Sequence, residues 1–416
     1  MIKRTHTCGE LNKSNVGHEI HLNGWISKSR DLGGLIFIDL RDRYGKTQIV
    51  FNEENHINAF NSAKKLGLED VIGIKGVVVA RPEDAINEDI ATGEIDVEVN
   101  EIIVYNESEP TPFDINDRNS AMEDHRLRYR YLELRTEDLQ KNFVLRHKVT
   151  QSVREYMSND HFIEVETPIL MKSTPEGARD FLVPSRIHQG RFYALPQSPQ
   201  TYKQLLMVSG FDRYFQICKC FRDEDFRADR QPEFTQIDIE MSFVKESQVI
   251  QEMENLTKYI FKEVKDIELP STFDKMTWED AMDQYGSDKP DLRYEMKLIN
   301  FKRYTDQTDF NTFKEVESVK CVIARNAQTL TRKKIDLLID HTIKYGAKGL
   351  AWVKIEKNNF TGGISKFFNN SLQKEIISDL NIADNDILFI IGDKNKTVNS
   401  ALGALRSQLA QELGLI

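Results

Sequence analysis

Between Arg213 and Phe243 two runs of alternating apolar and polar residues are joined by a charged loop. That alternation is the pattern of two antiparallel strands. In the second run Ile237, Ile239, Met241 and Phe243 point one way, and Gln236, Asp238 and Glu240 point the other. Two acids and an amide on one face of an otherwise apolar strand make a poor core and a good lining for a polar pocket. The first run delivers Arg222 to the mouth of the hairpin, with Glu224 two residues on, and Phe234 opens the return strand. A guanidinium there can grip a carboxylate or phosphate through two parallel hydrogen bonds, and the phenyl ring offers a flat face for stacking. A surface hairpin with solvated charges would show the same alternation, so the surrounding chain has to decide.

Residues 1–105 hold five short apolar runs, starting at Ile20, Leu35, Thr47, Val71 and Ile95, with one helical stretch around Asn58 to Lys65. Five strands and one helix predict an OB-fold β barrel, and such barrels bind single-stranded nucleic acid through basic and aromatic side chains. Lys28, Arg30, Arg41, Arg43 and Lys46 cluster here beside Phe37 and Gln48. A solvated charged rim accounts for the same residues equally well. The net charge of −10 opposes indiscriminate nucleic-acid binding but leaves room for a local basic patch. Gly33-Gly34 reads as a turn.

Residues 106–135 read as a hinge: Glu109-Pro-Thr-Pro breaks regular structure, and an Arg/Tyr-rich segment from His125 follows. This segment could touch RNA backbone or pack across a subunit contact. A helix is expected from Glu137 to Met157, capped by Thr136, with Leu139, Phe143, Val149 and Val153 on its apolar face. Phe162 to Thr167 reads as a strand stopped by Pro168. Ser173-Thr-Pro-Glu-Gly reads as a mobile loop. Ser198 is placed to cap the next helix, with Lys203 about a turn inside it. From Lys289 onward strands and helices alternate in an α+β pattern without a pocket constellation. The four cysteines show no metal-ligand spacing; Cys218 and Cys220 share one face of a strand and are expected to be reduced. No apolar run is long enough to span a bilayer, and the N-terminus lacks a signal core. The expectation is a cytoplasmic chain.

The wording Phe-Arg-Asp-Glu-Asp…Arg-Gln-Pro-Glu-Phe-Thr-Gln-Ile-Asp, residues 221–238, resembles the second signature motif of the class II aminoacyl-tRNA synthetases, in the form typical of the bacterial aspartyl-tRNA synthetase family. The resemblance runs through essentially the whole chain. It implies that Arg222 serves catalysis by holding both the amino-acid carboxylate and the ATP α-phosphate. It also implies that Glu224 reads the adenine amino group, that Phe234 stacks on adenine, and that Asp223 and Gln231 complete the ATP site. Glu176, on a loop that closes over the amino acid, would contact the substrate ammonium. Ser198, Gln200, Lys203, Gln236 and Asp238 would complete the L-aspartate site, with Lys203 against the side-chain carboxylate. In the barrel, Phe37 matches an anticodon-stacking position and Gln48 a base-reading one, with Lys28 and Arg30 beside them. The helix and strand from 137 to Pro168 resemble the first motif, which forms a homodimer interface.

The implied organisation is an OB-fold anticodon-binding domain at 1–105, a hinge at 106–135, an antiparallel-sheet α+β catalytic domain at 136–288, and a GAD-type insertion at 289–416. The implied substrates are ATP with Mg²⁺, L-aspartate and tRNA-Asp. No stretch matches the third motif, a Gly-rich segment with an Arg for the ATP tail. The expectation is therefore an incomplete catalytic domain, with the acids for Mg²⁺ and a second carboxylate-binding Arg beyond residue 416. A non-catalytic tRNA-binding protein keeping the barrel is the alternative at this point.

Overall fold

The computed structural model describes residues 2–174, 176–227 and 230–416; Pro175, in the Ser173-Thr-Pro-Glu loop, and Ala228 and Asp229, in the hairpin loop, lie outside the described residues. The chain divides into two compact units, Met1–Ser271 and Thr272–Ile416.

Alternation of branched aliphatic residues builds the start of the first unit. Strands β1 (Glu19–Asp31), β2 (Leu35–Asp42), β3 (Gly45–Asn52), β4 (Val71–Ala80) and β5 (Ile95–Asn106) close into a barrel in the order β1-β2-β3-β5-β4. Inward residues such as Ile20, Leu22, Ile38, Ile49, Ile74 and Val97 form its core, and helix α1 (Ile57–Ala63) adds Ala59, Phe60 and Ala63 to it. Closure needs Gly76, where a Cβ would stand 2.4 Å from the Glu98 carbonyl oxygen. This is the five-stranded barrel with one helix that the apolar runs predict.

Buried charge joins the barrel to residues 106–135. Glu69, 4% exposed, accepts hydrogen bonds from Arg41 at 2.8 and 2.9 Å and from Arg135 at 2.7 Å. Arg135 also lies over the Trp25 ring, 5.5 Å from its centroid. Arg41 therefore leaves the basic rim to which its sequence position assigned it. It is a buried partner of Glu69 rather than a surface cation. Further along, Asp70 accepts from the Ser108 backbone at 2.7 Å, and Asn116 donates to the Ser27 carbonyl at 3.0 Å. The hinge residues are thus fastened to the barrel, and they include two short helices, α2 (Glu123–Arg128) and α3 (Arg130–Glu133).

Helix α4 (Glu137–Asn159) comes next. Thr136 sits at its N-cap in an extended conformation, but its hydroxyl makes no capping bond. Only part of the expected apolar stripe is covered: Leu139 and Val153 are buried, whereas Phe143 is 61% exposed. The reason is that the C-terminal half of α4 carries the packing. There Val153 and Met157 meet Phe162, Phe215 and Leu256, the last from α6 (Glu246–Lys265). Between Phe162 and Thr167 only β6 (Ile163–Glu164) forms regular strand, parallel to β9 (Arg213–Phe221). Strand β9 pairs antiparallel with β10 (Glu233–Met241) from Glu233↔Phe221 to Met241↔Arg213. Ile217, Ile239 and Met241 lie against the same apolar core. Phe243 does not join them: the strand ends at Met241, and Phe243 has φ +60° and is 98% exposed. A short hairpin, β7 (Leu182–Pro184) and β8 (Phe192–Ala194), precedes helix α5 (Gln200–Val208).

The second unit is one antiparallel sheet buried on both faces. Its strands β11 (Ile299–Asn300), β12 (Ser318–Ala324), β13 (Ala351–Glu356), β14 (Asn359–Thr361) and β15 (Ile387–Asp393) run in the order β11-β12-β15-β13-β14. Alternate residues of β12 and β15 feed two cores. Val322, Phe389 and Ile391 meet helices α9 (Arg332–Ile343) and α11 (Asn395–Glu412). Cys321, Leu388 and Ile390 meet α8 (Lys302–Thr305) and α10 (Asn370–Asp379). The unit begins at Thr272 rather than Lys289, because α7 (Trp278–Tyr285) packs on α11. Gly286 and Gly403 make that approach possible: a Cβ on Gly403 would meet the Gly286 carbonyl oxygen at 2.5 Å. Among the described residues no helix is long and apolar enough to cross a membrane.

Replacing Glu69 by Ala strands two guanidinium groups, and breaking such a buried pair costs about 3 kcal/mol. Glu69→Ala is expected to raise amide exchange in β1 and β2 accordingly. The triple change Glu69→Leu, Arg41→Met and Arg135→Met should recover most of that loss; hydrogen-exchange mass spectrometry under increasing urea checks both.

Candidate active site

The face of β9 and β10 turned away from the apolar core carries Gln216, Cys218 and Cys220 on one strand and Gln236, Asp238 and Glu240 on the other. Helix α5 packs against both strands and places Lys203 among them. The Lys203 Nζ donates to Asp238 Oδ1 at 2.8 Å and stands 3.3 Å from Glu240 Oε2. The Lys203 and Asp238 side chains are only 12% and 8% exposed. Burial alone would lower the lysine pKa. The hydrogen bond and charge of Asp238, with Glu240 behind it, more than offset this and hold Lys203 above its ordinary value. Lys203 is therefore held as an ammonium between the two acidic side chains. The second Asp238 oxygen, Oδ2, is buried without a hydrogen-bond partner. An acceptor held in that state fits a donor brought by a ligand. Beside it, Gln216 Oε1 accepts from Thr167 and from Tyr214, both at 2.9 Å. Burial, then the Asp238 charge, pushes the Tyr214 hydroxyl pKa up, so it stays a neutral donor.

One wall of this pocket is a loop held by an amide that is absent from the residues expected from sequence. Gln197, 1% exposed, accepts from the Ala178 backbone at 3.0 Å and donates to the Ala178 carbonyl at 2.9 Å and to Asp180 at 2.5 Å. No periodic pattern marks such a residue, since its partners lie 17 to 19 positions away. The same loop pairs with the hairpin mouth through the Asp223 backbone, which donates to the Arg179 carbonyl at 3.0 Å. Ser198 does not cap α5. Pro199 occupies the N-cap, and the Ser198 hydroxyl donates instead to Glu176 Oε2 at 2.6 Å. Thr174 holds the other Glu176 oxygen at 3.0 Å. Glu176 is thus a carboxylate fixed by two hydroxyls at the pocket wall.

Arg222 comes directly after the last residue of β9. Its backbone donates to the Pro232 carbonyl at 2.8 Å, which closes the hairpin. Its guanidinium lies 5.1 Å from the centroid of the Phe234 ring, and its Nε approaches the Gln197 carbonyl at 3.4 Å. Neither contact occupies the terminal nitrogens, so the forked edge keeps its donors for an anion. Glu224 is half-buried and pairs with Arg230 at 3.4 Å. Asp223 and Gln231 are exposed in the same loop, and Gln200 is half-buried in the first turn of α5. The half-buried Gln236 accepts from the Cys220 thiol at 3.0 Å. The structure joins Glu176 to Ser198 and Arg222 to Phe234 and the Gln197 carbonyl, and it sets Gln236 and Asp238 on the hairpin face that Lys203 meets, with Glu240 as a second holder of Lys203. Among the described residues no three His, Cys, Asp or Glu side chains are grouped to hold a metal ion.

On the barrel, Arg30 of β1 stands opposite Phe37 of β2, its guanidinium 5.9 Å from the ring centroid. Lys28 and Gln48 both stand opposite Asp39, and the Gln48 amide nitrogen is 3.5 Å from that carboxylate. Lys28 and Arg30 are exposed, and Phe37 is half-buried. The four residues make a small patch of one ring, two cations and one amide. Gln48 is the most enclosed, at 8% exposure.

A strand hairpin with an Arg over a Phe, a helix lysine opposite strand carboxylates, and a five-stranded barrel ahead of them is the plan of the class II tRNA synthetases. The family described as tRNA synthetases class II (D, K and N) matches residues 122–392, and the OB-fold nucleic acid binding domain matches residues 20–105. The chain is similar to proteins called aspartate–tRNA ligase from Staphylococcus saprophyticus and Staphylococcus aureus. Each is 49% identical over 422 aligned residues, which cover 100% of this chain and 72% of the relative. Among solved structures, asparaginyl-tRNA synthetase from Pyrococcus horikoshii complexed with asparaginyl-adenylate aligns with 98% of this chain and 97% of its own. Its TM-score is 0.57 and its identity 18%, a likeness of fold. A putative aspartyl-tRNA synthetase from Leishmania major aligns with 99% of this chain and 95% of its own, at a TM-score of 0.56 and 18% identity. The chain belongs to the class II tRNA synthetases, in the bacterial aspartate–tRNA ligase family.

Because Gln197 spans both the loop backbone and Asp180, Gln197→Ala leaves buried donors and acceptors unpaired at a cost of about 1–3 kcal/mol. Amide exchange across residues 176–180 is expected to speed up by roughly tenfold or more, with β9 and β10 unchanged; peptide-resolved hydrogen exchange measures it.

Proposed function

We propose that this chain performs the chemistry of an aspartate–tRNA ligase: ATP-dependent activation of L-aspartate to aspartyl-adenylate, then transfer to the 3′ end of tRNA-Asp. The observation that carries this reading is the buried Lys203–Asp238 pair on the hairpin face that ends in Arg222. It stands in a chain 49% identical along its length to ligases of that name. An ammonium held in a fixed direction pairs strongly with a carboxylate and gains far less from a neutral amide, which favours aspartate over asparagine.

In this reading Lys203 turns one of its protons to the substrate side-chain carboxylate. The free oxygen of Asp238 and the hydroxyl-held carboxylate of Glu176 receive the substrate ammonium. Ser198, Gln200 and Gln236 supply the remaining polar contacts to the amino acid. Arg222 bridges the α-carboxylate and the ATP α-phosphate, bringing the attacking oxygen onto phosphorus. Phe234 stacks on adenine, Glu224 receives the adenine amino group, and Asp223 and Gln231 meet the nucleotide at the rim. The α-carboxylate attacks and pyrophosphate leaves, so no protein nucleophile is required. The rate comes from positioning and from charge placed where the pentavalent phosphorus gains it. Mg²⁺ would arrive with the nucleotide and neutralise its phosphates.

The barrel is proposed as the anticodon site, with Phe37 stacking on a base, Gln48 reading one, and Lys28 and Arg30 on the backbone. Residues 106–135 serve as the hinge. The second unit, from Thr272, corresponds to a GAD-type insertion, and the α4–β6 segment to a homodimer contact in a cytoplasmic enzyme.

Two substitutions separate the parts. Arg222→Ala is expected to lower aspartate-dependent ATP–pyrophosphate exchange by about 100-fold or more, while filter retention of tRNA-Asp stays at the parent level. Exchange at the parent rate contradicts the assignment. Phe37→Ala is expected to weaken tRNA-Asp binding by about 1–3 kcal/mol, the value of one stacked base, with exchange unchanged.

A further inference from the structure

The reaction proposed above assigns no step to Cys218 or Cys220. They stand two residues apart on β9, on the face shared with Gln216, with Cys218 opposite Gln236 and Cys220 opposite Phe234. Their sulfurs are 3.8 Å apart. Two residues of strand separate their Cα atoms by about 6.6 Å, at the long end of the span a disulfide bridges. Cys220 has no exposed surface and Cys218 keeps 6%, so Cys218 is the sulfur a water-sized reagent reaches first. The contact with Cys220 pulls the Cys218 thiol below its ordinary pKa. The same contact, then burial, pushes that of Cys220 up. One sulfur is thus suited to attack and the other to resolve. Cys8 and Cys321, by contrast, lie singly in other cores.

We propose that Cys218 and Cys220 form a modification site for hydroperoxides, whose disulfide disables the adjoining substrate pocket. The Cys218 thiol gives up its proton, the thiolate attacks a peroxide oxygen and the O–O bond breaks; the sulfur becomes a sulfenic acid, and the hydroxide that leaves takes up the released proton as water. The Cys220 thiol then attacks the sulfenyl sulfur. The S–S bond forms, the S–O bond breaks, and hydroxide leaves with the Cys220 proton as a second water. In sum two thiols and one hydrogen peroxide give one disulfide and two waters. The pocket is affected because the Cys220 thiol donates to Gln236 at 3.0 Å, and oxidation removes that donor. Drawing the two sulfurs together also strains the strand that leads to Arg222. The effect on the pocket rests on the reading of this face as the substrate site; the dithiol chemistry does not.

Lys219 lies between the two cysteines, so trypsin separates peptide 214–219 from peptide 220–222 unless a disulfide joins them. The whole chain is treated with hydrogen peroxide, the remaining thiols are alkylated, and the digest is analysed by mass spectrometry. The expected product is the joined pair, lighter by two hydrogens, abolished by dithiothreitol and absent from Cys218→Ser. In parallel, ATP affinity is expected to fall by about tenfold on oxidation and to return with dithiothreitol. Separate peptides bearing sulfinic or sulfonic acid, or both peptides alkylated, overturn the proposal. So does a joined pair with unchanged ATP affinity. A reduced protein that binds no ATP contradicts the ligase reading instead, and the joined peptide still decides the dithiol.

Discussion

Lys203 can remain an ammonium inside this pocket only because Asp238 and Glu240 stand on the facing strand, at 2.8 and 3.3 Å. Taking a lone charge out of water costs several kcal/mol, and a lysine so placed without partners would lose its proton. The pairing needs β10 to present alternate residues to one face, and it needs α5 to lie across the hairpin. The strand register supplies the first condition, since Asp238 stands opposite Gln216 and Glu240 opposite Tyr214. Packing of Ile217, Ile239 and Met241 against α4 and α6 supplies the second indirectly, because it fixes which face of the hairpin is left for polar residues. One hydrophobic pattern therefore decides the electrostatics on the other side of the sheet.

The pocket is built from segments with different degrees of constraint. Lys203, Asp238 and Arg222 ride on a helix, a strand and a strand end, and so belong to regular structure. Glu176 rides on a loop whose place is set by hydrogen bonds from Ser198, Thr174 and Gln197. The place of Glu176 therefore rests on polar contacts rather than on the apolar core. At the other end of the first unit, the Glu69 cluster ties Arg41 of β2 to Arg135, just ahead of α4. The Glu69 cluster thus ties the barrel to the segment that leads into the helix packed on the β9–β10 hairpin.

Much of this was legible in the sequence, because periodicity in two reports strand faces directly. The barrel strands, the β9–β10 hairpin and the polar set Gln236, Asp238 and Glu240 all come from alternation. Composition without partners misled at Arg41, where a basic residue in a basic cluster proved to be the buried half of an ion pair. Phe243 continued the alternation in sequence, but a left-handed turn ended the strand two residues earlier. Ser198 had the right residue type for a cap, yet Glu176 offered a charged acceptor and Pro199 took the cap position. Gln197 left no local trace, since its role consists of contacts to a distant loop. The start of the second unit was displaced for a similar reason: α7 belongs to α11, more than a hundred residues on.

The central claim is that the fixed ammonium of Lys203 selects a carboxylate over an amide. Titration calorimetry of the chain with two non-hydrolysable sulfamoyl adenylate analogues, one aspartyl and one asparaginyl, tests it most directly. The account predicts tighter binding of the aspartyl analogue by about 100-fold or more, a difference removed by Lys203→Met, as expected where a charged contact is lost in a closed site. Equal affinity for the two analogues in the unaltered protein would contradict it.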